Sequence, residues 1–287
     1  MNERHDDEKT DLPLKYIYYF FATLLNLSKK GYFIPYRYAS ENYQGLGPYS
    51  WLESRFYDEW CPTFSQTLAN VAMYKDELEQ IGGTPPEPRW KQDWFPGLDG
   101  AVAYTIIRSY RPGRLVEVGS GHSTRFIKRA VADEGLSTRI TCIDPEPRAD
   151  ISGLGIELRR ETVQRTAPDV FEALESGDML VVDSSHLALE GSDVDWIINR
   201  AMPKLPAGVL VHFHDIFLPD PYPVHWHWRG YNEQTVVAAL IAGGRARPIF
   251  SSQFVRTRMA SEVEKAGLGW IPLVPGAIES SLWLVLN

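Results

Sequence analysis

Short apolar runs, each stopping at a polar or charged residue, set the frame of this chain. Leu115–Val118, interrupted only by Glu117, is followed by Ile140–Ile143, Met179–Val182 and Val209–Phe213. Runs of this length are too short for a helix and too continuous for a half-exposed strand, so they predict strands covered on both faces. Between them apolar residues recur at helical spacing: Phe126, Ile127, Ala130 and Val131, then a segment around Asp169–Ser176. A third such segment has Val194, Ile197, Ile198 and Ala201, with Ser192 placed as an N-cap. A weaker alternation at Ile156 and Leu158 adds a strand, and a helix over Asp99–Tyr110 leads into the first one. Strand and helix alternating at this pitch predict right-handed βαβ units and a doubly wound, Rossmann-like parallel sheet of the α/β class. After a helix from Asn232 to Leu240, Pro248–Val255 and Ser281–Leu286 read as strands without a helical crossover, which fits a closing hairpin with one strand antiparallel to the rest.

Before residue 95 the pattern changes. Residues 1–11 are polar and mostly acidic, which predicts a disordered tail and no secretory leader. The run Leu12–Leu27 is apolar and aromatic but carries Pro13 and Lys15 and falls short of the ~20 residues that span a bilayer. A helix docked on the core is the expectation, with no membrane partner. Phe64–Ile81 carries one apolar stripe and stops at Gly82-Gly83, and the Thr84–Pro88 stretch that follows cannot continue a helix. The expected organisation is an N-terminal tail and helical layer over 1–95 and a ligand-binding α/β domain over 96–287. Nine of the 14 tyrosines fall at or before Tyr57, so this layer is unusually aromatic and suits packing, an acceptor pocket wall or a homo-oligomer contact.

Composition narrows the partners. A net charge of -8 argues against a nucleic-acid substrate, which calls for a basic face. Two cysteines, Cys61 and Cys142, the latter inside a predicted buried strand, do not make a disulfide framework, so a reducing cytoplasm is the default.

The chemistry concentrates at the strand ends. The first strand breaks at Gly119-Ser120-Gly121 and runs through His122-Ser123 into a helix, and the second stops at Asp144, 23 residues after Gly121. An acid there can take both hydroxyls of a ribose. A dinucleotide turn wants G-x-G-x-x-G with pyrophosphate at the helix N-terminus, but position 124 is Thr and the third Gly is missing. Glu117, aimed at that turn, is a poor host for pyrophosphate and suits a ligand bearing an ammonium group. The pattern Glu117-x-Gly119-x-Gly121-x-Ser123 resembles the first motif of class I S-adenosylmethionine-dependent methyltransferases. The resemblance implies a seven-stranded sheet with a reversed last strand and S-adenosylmethionine as cofactor. Glu117, Gly119, Ser120, Gly121 and Ser123 would then surround its amino-acid end, Asp144 its ribose, and Thr162 the region of its adenine.

A second constellation lies across the sheet. Asp183-Ser184-Ser185-His186 follows one strand and His212-Phe213-His214-Asp215 ends the next. Neighbouring strands lie about 4.8 Å apart, so Asp183 and Asp215 can converge on one ion or one substrate hydroxyl. His186 has the right chemistry for a general base at neutral pH. These residues resemble the methyltransferase 24 family, some of whose sugar O-methyltransferase relatives bind magnesium through the acid of D-x-x-H and an acidic pair one strand on. Carried over, Asp183 and Asp215 become metal ligands and His186 the catalytic base. His214 replaces an acid of those relatives, and as a third ligand it suits manganese, iron or zinc better than magnesium. A metal-free site using His186 stays open, as does a purely structural His214. The resemblance implies a methyltransferase acting on a small-molecule hydroxyl, a sugar or secondary metabolite, with a divalent metal (Mg, Mn or Fe) as an optional cofactor. The proline-rich aromatic stretch Phe217–Tyr231 reads as a substrate lid offering His225, His227 and Arg229. Two other classes remain open: an NAD-dependent oxidoreductase, and a metal-binding protein using the His-rich residues 212–227.

Overall fold

A computed structural model describes residues 14–32, 34–42 and 45–287. The acidic tail, Leu12 and Pro13 lie outside the described residues. Contacts divide the chain into two units, one of residues 48–220 with 231–287, the other of the described residues before 48 with 221–230.

The first unit is built on a seven-stranded sheet. Its strands are β1 (Arg114–Val118), β2 (Arg139–Ile143), β3 (Glu157–Arg159), β4 (Met179–Val182), β5 (Leu210–Phe213), β6 (Ala246–Ser251) and β7 (Leu282–Leu286). Their order is β3-β2-β1-β4-β5-β7-β6. The pairs from β3 to β5 are parallel, and β7 runs antiparallel to both β5 and β6. This is the Rossmann-like doubly wound sheet with a reversed last strand. The order turns back between β1 and β4, and at such a switch point ligands sit beyond the carboxyl ends of the strands. Glu117, Asp144, Asp183 and Asp215 all lie at that edge.

Helices cover both faces, which is why β4 and β5 are buried along their whole length. Helix Gly97–Tyr110 packs on helix His122–Asp133, and a Cβ at Gly100 would stand 2.7 Å from the Phe126 ring. Ahead of them, residues 50–79 belong to this same unit. Phe56 and Phe64 meet Phe254 with ring centroids 4.9 and 5.9 Å apart, so these early aromatics pack the core.

Three elements differ from expectation. The helix expected over 64–81 begins at Cys61, after a π-turn at Phe56–Trp60, and breaks at Tyr74 into a second segment, Lys75–Glu79. Pro62 sits in its first turn, where a missing N–H costs nothing. The segment expected over 169–176 is a single turn, Asp169–Glu172. The strand expected to run to Val255 stops at Ser251, whose Oγ caps helix Ser252–Arg258 by accepting from the Phe254 N–H. Phe254 and Val255 are therefore helical, and helices Ser252–Arg258 and Ala260–Lys265 join β6 to β7.

Candidate active site

The turn after β1 is held from three sides. Gly119 has φ +83, and a Cβ there would lie 1.8 Å from the backbone carbonyl oxygen of Asp183 at the end of β4. Only glycine fits, because both the left-handed backbone and the close approach exclude a side chain. Its N–H donates to the Ile143 carbonyl of β2 at 3.0 Å. Asp144 completes the turn: one carboxylate oxygen accepts from the Ser120 N–H at 2.7 Å and from Ser120 Oγ at 3.0 Å, the other from the Glu146 N–H at 2.8 Å.

Glu117, beside that turn, already has partners of its own. It is fully buried and its two oxygens accept from Ser123 Oγ and Thr124 Oγ1, both at 2.6 Å, while Cys142 Sγ lies 3.2 Å away. Glu117 and Ser123 thus hold the start of helix His122–Asp133 against β1. Thr124 Oγ1 also accepts from the Gly121 N–H at 2.9 Å, an orphan donor of the helix start. Burial pushes the Glu117 carboxyl up to about 7, against the opposing effect of the two hydroxyls. Thr162 is exposed and precedes the short 3-10 turn Val163–Arg165 past the end of β3. A cavity of ≈ 410 Å³ lies along the loop after Asp144, lined by Arg148, Ala149, Asp150, Ile151 and Arg160 among others. Ala149 stands 3.8 Å from where a Gly121 side chain would begin.

At the ends of β4 and β5 the second constellation closes into one cluster. His186 Nε2 lies 3.3 Å from Asp183 and 3.4 Å from Asp215. Its Nδ1 meets Glu233 Oε2 at 2.9 Å. His214 Nδ1 lies 3.4 Å from Asp215 and 3.8 Å from Asp183, and its Nε2 is 3.3 Å from Asp99. Asp183 has the most open side chain of the group, at 28% exposure against 3% for His186. His186 adopts φ +60, a strained conformation for a residue other than glycine. It is clamped there because its carbonyl accepts from the Asn232 and Glu233 N–H groups at 3.0 and 3.2 Å.

The charges are set by opposing terms. Burial disfavours the imidazolium of His214, but Asp183, Asp215 and Asp99 outweigh it and its pKa is pushed up to about 9. Burial likewise opposes His186, and its contacts with Asp183, Glu233 and Asp215 raise its pKa well above the usual value. For Asp183 burial is again outweighed, here by His214 and His186, so its carboxyl sits well below the usual range. Burial raises Glu233, whose second oxygen, Oε1, has no hydrogen-bond partner among the described residues. His212 differs: wholly buried, with Nε2 2.9 Å from Ser281 Oγ, it is driven down to about 3 by burial and stays neutral.

The grouping Asp183, His214 and Asp215 does not fit a metal ion in this arrangement. Among the described residues no set of three or more His, Cys, Asp or Glu side chains is placed to hold one. The physical reason is His186, whose Nε2 stands within 3.4 Å of both carboxylates, so an imidazole proton fills the role a cation would have. His225, His227 and Arg229, expected to belong to a lid, lie on the 3-10 helix Val224–Arg229 of the other unit, where the Arg229 guanidinium stacks 3.9 Å from the Trp226 ring centroid. Glu233 and Asp99 escaped the sequence reading, Glu233 as part of a helix cap and Asp99 as a helix start. A carboxylate inside an otherwise apolar helix start was the one available signal for Asp99.

Residues 116–216 match the model of the methyltransferase 24 family, described as a methyltransferase domain. None of the curated proteins matches the chain. Among solved structures, the methyltransferase PaMTH1 of Podospora anserina bound to S-adenosylhomocysteine is 16% identical over 90% of this chain and 99% of its own, with a TM-score of 0.41. An O-methyltransferase of Bacillus cereus in complex with the same ligand is 13% identical over 83% and 99%, with a TM-score of 0.40. A branched-chain polyamine synthase of Thermus thermophilus is 12% identical over 76% and 64%, also at 0.40.

Proposed function

We propose that this methyltransferase domain moves the methyl group of S-adenosylmethionine to a hydroxyl of a small molecule, a sugar or secondary metabolite, with His186 as general base. The observation that carries this reading is the contact between the two halves of the site. Gly119 of the cofactor turn abuts the Asp183 backbone at the head of the His186 cluster. A methyl donor held at that turn therefore lies one residue from the group that would receive an acceptor hydroxyl.

A sulfonium methyl is already activated, so the protein has mainly to align the acceptor in line and take its proton. Asp183, the more open carboxylate, orients the hydroxyl. As the C–O bond forms and the C–S bond breaks, the hydroxyl proton passes to His186 Nε2, and Glu233 on Nδ1 steadies the resulting charge. His186 is competent only when neutral, so turnover rises with pH. Asp144 is placed to exchange its Ser120 hydrogen bonds for ribose hydroxyls, and the cavity beside Ala149 accepts part of the nucleoside. Since Glu117 is occupied by Ser123 and Thr124, it supports the turn, and the backbone around Gly119–Gly121 carries the amino-acid end of the cofactor. No step is routed through a metal.

Thermal shift with S-adenosylhomocysteine and NADH, followed by S-adenosylhomocysteine release from S-adenosylmethionine with sugar and phenol acceptors, tests this. Stabilisation by NADH alone would rule it out. Stabilisation by S-adenosylhomocysteine without transfer to any hydroxyl would rule out the acceptor class.

A further inference from the structure

Each imidazole of the cluster turns one nitrogen toward Asp183 and Asp215 and the other toward a wholly buried carboxylate. For His186 that outer carboxylate is Glu233, 2.9 Å from Nδ1. For His214 it is Asp99, 3.3 Å from Nε2. Proton transfer to His186 uses the first pair and gives the second no part. A carboxylate taken out of water has to be held by donors, and the hydrogen bond on one nitrogen of an imidazole fixes where the other points.

Asp99 is held by more than His214. It lies in the first turn of helix Gly97–Tyr110, and its Oδ1 and Oδ2 accept from the Ser281 and Ser280 N–H groups, both at 3.0 Å. One residue earlier in each segment, the Leu98 N–H donates to Glu279 Oε1 at 2.6 Å. Three successive residues ahead of β7 thus fasten the start of this helix, and Asp99 carries the fastening on to His214. Phe95 closes another side, with its ring 5.2 Å from the His214 ring and its N–H donating to Gln92 Oε1 at 2.7 Å.

Ser280 makes a second tie. Its Oγ donates at 3.1 Å to Asp215 Oδ1, the oxygen that also faces His214 Nδ1 at 3.4 Å, and its carbonyl accepts from the Ile216 N–H at 2.9 Å. Asp215 has φ +54, which a residue other than glycine keeps only where its surroundings enforce it. Asp183 is placed differently: its Oδ1 is shared by His186 Nε2 at 3.3 Å and His214 Nδ1 at 3.8 Å, so its direction depends on both rings.

We propose that Asp99 and Ser280 are positioning residues of the methyl transfer, acting through His214 and Asp215 to hold Asp183 toward the acceptor hydroxyl. This rests on the hydroxyl-transfer reading and adds to it the groups that align the acceptor. Released from Asp99, the His214 ring turns about its Cβ–Cγ bond, Nδ1 leaves Asp183, and that carboxylate swings wholly onto His186 and away from the acceptor. The Asp183 backbone carbonyl beside Gly119 stays where it is, so the cofactor binds as before.

The test compares Asp99→Asn, Ser280→Ala, His214→Asn and the double variant of Asp99→Asn with His214→Asn. The acceptor is the sugar or phenol that the wild type methylates fastest. Asp99→Asn should lower kcat/KM for it by roughly 10- to 100-fold, mainly through KM. The KM for S-adenosylmethionine and the thermal shift with S-adenosylhomocysteine should stay at wild-type values. The double variant should lose no more than His214→Asn alone, because one residue acts through the other. Ser280→Ala keeps both backbone donors to Asp99 and should show a smaller rise in acceptor KM; it decides the matter if Asp99→Asn does not fold. Additive losses in the double variant, equal losses for acceptor and cofactor, or a wild-type acceptor KM in Ser280→Ala would each overturn the assignment. Proton spectra supply a readout that needs no acceptor. A slowly exchanging imidazole N–H resonance, identified by its loss in His214→Asn, should vanish or move in Asp99→Asn. That resonance without transfer to any hydroxyl would sink the transfer reading, whereas transfer without the resonance would sink the role of Asp99.

Discussion

Glu233 and His186 stand 47 residues apart in sequence and 2.9 Å apart in space, a carboxylate oxygen against imidazole Nδ1 with both side chains buried. The pair fixes which nitrogen of His186 faces Asp183 and Asp215. It also raises the energy needed to remove the imidazolium proton.

Replacing that carboxylate tests its role. Glu233→Gln removes one of the charges that raise the His186 pKa, so the ascending limb of the pH–rate profile should move to lower pH. The limiting rate should fall by roughly 10- to 100-fold as the orienting charge is lost. An unchanged limb would mean that the profile does not report His186. A merely structural Glu233 would lower the melting temperature without moving the limb.

The glycine turn makes a sharper prediction. Gly119→Ala puts a methyl group 1.8 Å from the Asp183 carbonyl oxygen at φ +83. Strain of this kind costs on the order of 1–3 kcal/mol before any clash is counted. Titration calorimetry with S-adenosylhomocysteine should show affinity lost by more than roughly tenfold, together with a lower melting temperature. Near wild-type affinity would show that the turn is not the cofactor site.

Glu117 links pH to stability. Its folded pKa of about 7 lies above the unfolded value of about 4.3. Between these values the folded state binds the extra proton, so stability is greatest on the acid side and falls as pH rises through the window. The loss amounts to something on the order of 3 kcal/mol. Glu117→Gln keeps an acceptor for the hydroxyls but cannot ionise, so urea melts from pH 5 to 8 should flatten. An equal slope in both proteins would place the titration elsewhere.

Chelation tests the arrangement around His186. With an imidazole between Asp183 and Asp215, methyl transfer should survive dialysis against EDTA. Loss of activity on chelation, restored by one divalent metal, would mean that His186 moves aside to admit it.

The sheet was legible because buried parallel strands must be apolar on both faces, which leaves runs such as Met179–Val182 that match the observed strand residue for residue. Where one apolar run serves two elements the pattern loses its resolution. Ile249 and Phe250 belong to a strand and Phe254 and Val255 to a helix, and the division rests on a cap made by Ser251. At the site, strand-end positions were enough to bring Asp183, His186 and Asp215 into one cluster, since the ends of β4 and β5 are adjacent by topology.

Sequence by itself thus determined which strands exist, where their polar ends fall, and that a glycine turn faces an acid one strand away. Only the tertiary structure decided what those polar groups touch. Strand periodicity says that Glu117 leaves β1 beside the turn, but not that two hydroxyls from the next helix fill the space before a ligand does. A helix-start glutamate reads as a cap until the fold carries Glu233 onto His186. An apolar helix reads as core until its neighbours are counted, and around Phe21 too few close over it. Local energies write the first kind of information into the chain; the second depends on which buried donors and acceptors the fold brings within 3 Å of one another.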